Sequence, residues 1–457
     1  AECPDRETRR DGVRLCETRT LDLRGRQLTL DASPNGGISV TGWSRSEIQV
    51  VAHVEAWGDR EDTARRLLRE TEVHVRGRTV STHLPKREGR QDQREGWSSV
   101  RYEVRVPREA ELDLRTVNGG IVIGTRKLAV VTGASSGLGL YGALSLAKRG
   151  DYYVVLACRN VERAERVAKE MGFPANSYTV IKCELGSFKS VRDFVFNLRA
   201  FKGPRGLDAL VCNAAVYLPA DPKPRFTEDG YEMSMGVNHL GHFLLTQLLM
   251  SDLEKARNAR CIIVGSITGN SNTIGGGLVY PRADLGDLSG LKQGPGAEMA
   301  DGKSFFGAKA YKDSKVCNMM TVQEMHRRFH DKTGITFSSL YPGCIAETGL
   351  FREKRGWFRS LFPVFMKYVT GGYVSEAEAG DRLAQVVYDP VASKSGVYWS
   401  WNGNAQQVGL YDPSSGSVKG AGGSGGEIFE NAYSASTADE KTAAEMYEAS
   451  MKACGLA

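Results

Sequence analysis

Leu128-Ala-Val-Val-Thr-Gly-Ala-Ser-Ser-Gly-Leu-Gly139 decides how the larger part of this chain folds. Residues 128–132 are apolar or β-branched and read as a buried strand. Gly133, Gly137 and Gly139 read as a turn whose bare backbone can approach a pyrophosphate, and the residues beyond as a helix presenting its first amides to negative charge. Alone, a glycine-rich turn is only a tight connection. A strand before it and a helix after it make it a nucleotide-binding signal. Further short apolar runs follow at 153–157, 178–181, 207–212, 261–264 and 336–340, separated by helical stretches. This alternation predicts an α/β fold built on a doubly wound parallel sheet of Rossmann type.

Upstream of this stretch the composition changes. Residues 1–125 hold 21 Arg and one Lys, whereas 126–457 hold 18 Arg and 20 Lys, which places a domain boundary near residue 126. Runs such as Gln49-Val-Val-Ala-His-Val-Glu-Ala-Trp57 and Val100-Arg-Tyr-Glu-Val-Arg-Val106 alternate apolar with polar residues, as half-buried strands do, and only 62–70 looks helical. Leu28-Thr-Leu30 before Asn35-Gly-Gly-Ile38 is echoed by Leu112-Asp-Leu114 before Asn118-Gly-Gly-Ile121, suggesting a coiled β scaffold. A smaller all-β domain is therefore expected at 1–125, similar to bacterial adhesin-like β domains. It has no cluster of nucleophile, base or metal ligands. Whether Cys3 and Cys16 pair is open at this level.

The net charge of +6 over 457 residues and the absence of a Lys/Arg run argue against nucleic acid as a partner. No stretch reaches the apolar length needed to span a bilayer, and the first residues lack a signal-peptide pattern. Nine cysteines at irregular spacing give no zinc pattern, and from Cys158 onward they read as reduced thiols. His326 and His330 stand four apart without a third ligand, so no metal site is expected. The Gly/Ser-rich 414–426 reads as a flexible linker before a last helix at 438–452.

Chemistry is concentrated in Tyr311-Lys-Asp-Ser-Lys315. On a helix, a spacing of four puts both side chains on one face, where a lysine cation is expected to lower the phenol's pKa so that it relays a proton near neutral pH. At the end of the second strand, Arg159 and, one turn on, Arg163 stand where an acidic residue would bind the ribose hydroxyls of NAD. A guanidinium there matches a 2′-phosphate, which favours NADPH, although Arg163 reads equally as an exposed helix residue.

The G-x-x-x-G-x-G spacing, Cys212-Asn-Ala-Ala-Val-Tyr217, Asn238-His-Leu-Gly-His-Phe-Leu244, Ala310-Tyr-Lys-Asp-Ser-Lys-Val-Cys-Asn318, Ser339-Leu-Tyr-Pro-Gly-Cys344 and Ser395-Gly-Val-Tyr-Trp-Ser-Trp401 resemble the light-dependent protochlorophyllide oxidoreductases, a branch of the short-chain dehydrogenases/reductases. The resemblance runs through essentially all of 127–457. The 45-residue gap from Ser266 to Tyr311, with Asp284-Leu-Gly-Asp-Leu288 inside it, matches an insertion of that branch. It implies a catalytic set of Asn238, Ser266, Tyr311 and Lys315, with Thr268 as the alternative hydroxyl, and a cofactor site at Gly133, Ser135, Ser136, Gly137, Leu138 and Gly139. Arg159, Arg163, Glu184, Asn213, Ala214, Ala215, Lys315 and Thr348 complete that site. Glu184 departs from the usual Asp beside the adenine.

On the same resemblance, Cys344 faces the pigment and serves placement or protonation, the alternative being a buried structural thiol. Tyr341 hydrogen-bonds near the pigment, and Cys317 is divided between pocket and core. Trp357-Phe-Arg-Ser-Leu-Phe-Pro-Val-Phe-Met-Lys-Tyr368 suits a pigment lid, a membrane-surface contact or a core helix. The implied reaction is light-driven reduction of the C17–C18 double bond of protochlorophyllide by NADPH, with a homo-oligomer left open. The implied location is a plastid, stromal or thylakoid-associated, with cyanobacterial cytoplasm as the alternative. A light-independent carbonyl or retinoid reductase, or a β-scaffold binding protein with a degenerate reductase, are the rival readings.

Overall fold

The computed structural model describes the chain except residues 1–5, 10–11, 35, 44, 86–95, 108–109, 118, 124–125, 271–279, 346–371 and 404–422. It divides into two compact units, Ala1–Arg126 with Phe196–Arg205, and Lys127–Val195 with Gly206–Ala457.

In the first unit the period-2 patterns become strands. Glu47–Gly58 alternates half-buried and buried residues along its whole length, as a strand with one covered face must. It lies between Gly12–Arg24 and Gly96–Pro107 in a six-stranded sheet, and Gln27–Asp31 lies between Thr79–His83 and Glu111–Arg115 in a four-stranded one. Leu28, Leu30, Val50, Val54, Val100 and Val104 fill the core. The two halves of the sequence echo are direct neighbours. Leu28 pairs with Leu112 and Leu30 with Leu114 in parallel register, and Ile38 pairs with Ile121 in the other sheet. Among the described residues up to Arg126 one helix is present, Glu61–Glu70, and Phe196–Arg205 adds the end of the helix Phe188–Lys202. Cys16 is disulfide-bonded; Cys3 lies outside the described residues.

The second unit is the doubly wound sheet. Its elements are β1 (Lys127–Thr132), α1 (Gly137–Arg149), β2 (Tyr152–Cys158), α2 (Val161–Glu170), β3 (Tyr178–Lys182), α3 (Phe188–Lys202), β4 (Ala209–Cys212), α4 (Gly241–Leu253), β5 (Arg260–Val264), α5 (Gly307–Thr333), β6 (Thr336–Leu340), α6 (Glu376–Tyr388), β7 (Val397–Trp401), β8 (Ile428–Asn431) and α7 (Glu440–Ala453). The sheet order is β3-β2-β1-β4-β5-β6-β7-β8, parallel throughout except for β8 against β7. Every residue of β2, β6 and β7 is buried, as expected of strands covered on both faces. The cysteines from Cys158 onward are free thiols, and all but Cys344 are buried.

The insertion before α5 carries a short helix, Ser289–Gln293, and is held to α5 by charge. Lys309 lies 2.6 Å from Asp313 and 3.0 Å from Asp301, and Asp313 accepts the backbone N–H of Asp284 at 2.9 Å. Buried Asp313 has its carboxyl pushed up to about 7, chiefly by desolvation, with Lys309 opposing. No described helix is long and apolar enough to cross a membrane. The 357–368 stretch lies outside the described residues.

Candidate active site

Parallel strands point their carboxyl ends one way, so the turns after β1, β2, β4, β5 and β6 collect along one rim, and β1 and β4, where the strand order reverses, flank its crevice. Gly133 takes φ +66°, and a Cβ there would stand 2.9 Å from both Cα and Cβ of Ala214. At Gly139 a Cβ would stand 2.3 Å from Nδ2 of Asn213. Only glycine lets these two loops close on each other. Thr132 Oγ1 accepts the N–H groups of Asn213 and Ala214 at 2.8 and 3.0 Å, and Asn213 Nδ2 donates to the Thr132 carbonyl at 2.9 Å. The result is a cradle walled by small residues, Ala214 and Ala215 among them, facing the first amides of α1. Ser135, Ser136, Gly137 and Leu138 line its open side, half-buried or exposed. A phosphate-bearing dinucleotide fits these donors.

Arg159 and Arg163 stand exposed at the end of β2 and in the first turn of α2. Asn160 caps that helix, its Oδ1 accepting the Arg163 N–H at 2.7 Å. Arg159 Nε lies 3.6 Å from Glu184 Oε2, while Glu184 Oε1 accepts the Gly186 N–H at 3.1 Å. Two residues expected at different parts of a nucleotide thus stand side by side, with the guanidinium free to turn outward from a mostly exposed position.

Asn238 sits in a π-helical turn, Met235–Leu240, that leads into α4. Such turns place side chains that a regular helix would rotate away. Its buried amide is fully used: Oδ1 accepts the Val216 N–H at 2.8 Å, and Nδ2 donates to the Val216 carbonyl and to Ser314 Oγ, both at 3.0 Å. Ser314 donates in turn to the Tyr311 carbonyl at 2.7 Å. Asn238 therefore fixes the start of α5 against the turn after β4.

Lys315 is 2% exposed; its Nζ donates to the Val264 carbonyl at 2.9 Å and lies 5.8 Å from the centroid of the Tyr311 ring. Burial brings its ammonium down to about 8. The Tyr311 ring packs 4.8 Å from that of Tyr217. Burial pushes the Tyr311 phenol above its ordinary value, and a hydrogen bond with Ser266 only partly offsets this. The expectation that Lys315 lowers the Tyr311 pKa is thereby corrected: desolvation holds the phenol above its ordinary value, and it stays protonated at neutral pH. Ser266 Oγ lies 2.8 Å from Thr268 Oγ1, and Ser266 is the hydroxyl that acts on the Tyr311 phenol.

Cys344 is half-buried beside Tyr373, its carbonyl accepting the Val374 N–H at 3.0 Å. Burial pushes its thiol up to about 12, so it is a neutral S–H. The Tyr341 phenol is held high by burial, with Cys344, Tyr398 and Tyr311 close enough to add to the effect. Tyr341 thus stands near both Tyr311 and Cys344. Cys317 does not join them. It is fully buried and feels Asp313 and Lys309, because a two-residue step past Lys315 turns it to the face that holds the insertion. Thr348 lies outside the described residues. His326 and His330 have ring centroids 5.1 Å apart, and among the described residues no group of three or more His, Cys, Asp or Glu is placed to hold a metal.

Sequence reasoning missed Tyr217, Ser314 and Arg382. Arg382, buried on α6, donates to the Pro342 carbonyl at 2.6 Å and pairs with Glu378 at 2.8 Å, so it anchors the turn that carries Cys344. Tyr217 and Ser314 lay inside motifs already singled out. Nothing local to Arg382 signals its role, since its partner lies 40 residues away.

A family model described as short chain dehydrogenase matches residues 127–281. The chain is 56% identical over 335 residues to protochlorophyllide reductase, chloroplastic, of Chlamydomonas reinhardtii, covering 72% of this chain and 78% of that protein. It is 61% identical over 284 residues to the protein of that name in Marchantia paleacea, covering 61% of each. With protochlorophyllide reductase A, chloroplastic, of Arabidopsis thaliana it shares 54% over 334 residues, covering 72% of this chain and 76% of that one.

Proposed function

The chain belongs to the protochlorophyllide reductases of the short-chain dehydrogenase group, and from that premise we propose that the site around Tyr311 is where it reduces its pigment. It is an NADPH-dependent oxidoreductase of chlorophyll biosynthesis acting on protochlorophyllide in the light, and its place is the plastid. The reaction adds a hydride to C17 and a proton to C18, giving chlorophyllide.

The glycine cradle of 133–139 with Asn213, Ala214 and Ala215 holds the pyrophosphate, and Arg159 with Arg163 meets the 2′-phosphate. Once bound, NADPH supplies the hydride. Lys315, reaching between the end of β5 and Tyr311, orients the nicotinamide ribose. Tyr311, kept protonated by its burial, delivers the proton to C18, and Ser266 holds the phenol in line. Cys344 and Tyr341 bound the pigment from the turn after β6, and the neutral thiol packs there as a soft apolar contact. Asn238 touches no reactant in this scheme; it keeps α5 in register with the turn after β4.

The single observation that carries this reading is the buried Lys315, its Nζ 5.8 Å from the centroid of the Tyr311 ring and bonded to the Val264 carbonyl at the end of β5, on the rim that also carries the glycine turn after β1. The protein is mixed with NADPH and protochlorophyllide in darkness, flashed, and followed by the red absorption band of the pigment. A shift to the chlorophyllide band after the flash is expected. Conversion in darkness, or bound pigment left unshifted by light, would overturn the reading.

A further inference from the structure

His242, the second residue of α4, is 1% exposed and stands between Thr132, at the glycine cradle, and Asn238. Its Nδ1 lies 2.9 Å from the Asn238 carbonyl and its Nε2 lies 2.8 Å from Thr132 Oγ1. A carbonyl only accepts, so Nδ1 carries the hydrogen. Burial brings this imidazole down to about 3, so the ring is neutral and Nε2 must accept. Thr132 has one proton to give, and the 2.8 Å contact to Nε2 takes it in preference to the Val211 carbonyl at 3.3 Å. With that proton committed, the lone pairs of Thr132 Oγ1 point at the N–H groups of Asn213 and Ala214. One chain of directed hydrogen bonds thus runs from the turn after β4, through Thr132 and His242, to Asn238 and on to Ser314 at the start of α5.

We propose that His242 is a positioning residue whose two nitrogens do separate jobs: Nε2 sets the Thr132 hydroxyl that closes the nucleotide cradle, and Nδ1 sets the π-helical turn that places Asn238. The inference rests on the reading of 133–139 and 213–215 as the NADPH cradle and of Asn238 as part of the catalytic set. Neither job involves contact with a reactant. The imidazole acts through the groups it orients, and its burial leaves no other partner able to satisfy both neighbours at once.

The two jobs separate by shortening or lengthening the side chain. In His242→Asn the amide nitrogen falls where Nδ1 was and keeps the bond to the Asn238 carbonyl, but nothing reaches Thr132. In His242→Gln the amide oxygen falls where Nε2 was and accepts from Thr132, but Asn238 loses its donor. The dissociation constant for NADPH is measured in darkness by cofactor fluorescence, and single-flash pigment conversion is measured at saturating NADPH. His242→Asn is expected to weaken NADPH binding by about tenfold with conversion per flash near that of the unaltered protein. His242→Gln is expected to do the reverse. Thr132→Val, which keeps shape and drops the hydroxyl, should weaken NADPH binding as His242→Asn does and supplies the test if either histidine variant does not fold. The proposal is overturned if the Asn and Gln variants move affinity and conversion together, if neither moves, or if Thr132→Val binds NADPH unchanged. An unaltered protein that binds NADPH but converts no pigment after a flash would sink the proposed reaction and leave the affinity comparison standing.

Discussion

Two buried tyrosines show what separates the units of this molecule. Tyr102, in the first unit, has its hydroxyl 2.8 Å from Thr82 Oγ1, and burial pushes its phenol up to about 12. Tyr311, in the second, is likewise buried and likewise pushed up. Burial alone therefore does not mark a catalytic group. Tyr102 sits in mid-strand of Gly96–Pro107, where alternation sends every second side chain into a closed core. Tyr311 sits in the first turns of a helix at the carboxyl rim of a parallel sheet, where loops from several strands converge. In the first unit the described strands send Tyr102 into the core, against Thr82 of the strand Thr79–His83.

Removing the same oxygen from both residues tests the contrast most sharply. Tyr311→Phe is expected to lower flash conversion by about a hundredfold or more, the usual worth of a positioned proton donor. Tyr102→Phe is expected to cost about 1 kcal/mol of stability in the first unit and to leave conversion unaltered. Conversion that survives Tyr311→Phe would break the comparison.

Glycines offer a second pairing. Gly133 and Gly77 both have positive φ, +66° and +61°, but a Cβ at Gly77 meets nothing within 4 Å, whereas at Gly133 it meets Ala214. Gly133→Ala should weaken NADPH binding by about thirtyfold or more, from strain plus a displaced cradle. Gly77→Ala should cost only the local strain, about 1 kcal/mol, with NADPH affinity unchanged in a fluorescence titration.

Lys315 gives the second unit a pH signature. Its ammonium titrates at about 8 in the fold against 10.5 ordinarily. Below pH 8 the buried group is charged, and its burial is a cost to stability. From 8 to 10.5 the unfolded chain holds the proton more firmly than the folded one, so this group adds stability as pH rises. The ammonium proposed to orient the ribose is lost over the same window. NADPH affinity is expected to fall by about tenfold per pH unit above 8, and Lys315→Met to flatten that dependence. A slope that persists in the variant would assign the titration elsewhere.

The smallest expected effect is at the exposed Arg159. Arg159→Ala should reduce the preference for NADPH over NADH by a few-fold, read as a ratio of dissociation constants, since exposed charges are screened. An unchanged ratio would shift the 2′-phosphate contact wholly to Arg163.

Much of the second unit was legible because its signals are local. A run of apolar residues ending in Thr132-Gly133 can be little other than a strand entering a tight turn, and Tyr311 and Lys315 share a helix face by spacing alone. Six of the eight sheet strands were marked by such runs. Ile428–Asn431, the antiparallel edge strand β8, was not, since its half-exposed residues lack a continuous apolar run. In the first unit the Leu-x-Leu echo foretold the coil, whose parallel register the fold then fixed.

By itself, then, the sequence determined the succession of strands and helices, the glycines that admit a pyrophosphate, and the residue types able to move a proton. Only the tertiary structure decided that Ser266 acts on the Tyr311 phenol, that Cys317 is buried, that burial raises that phenol, and that His242 bonds both Thr132 and Asn238. Each of these depends on burial or on contacts between segments tens of residues apart. Desolvation and cross-strand proximity are set by which strands lie side by side, and that order is a property of the packed sheet, not of any stretch of chain read alone.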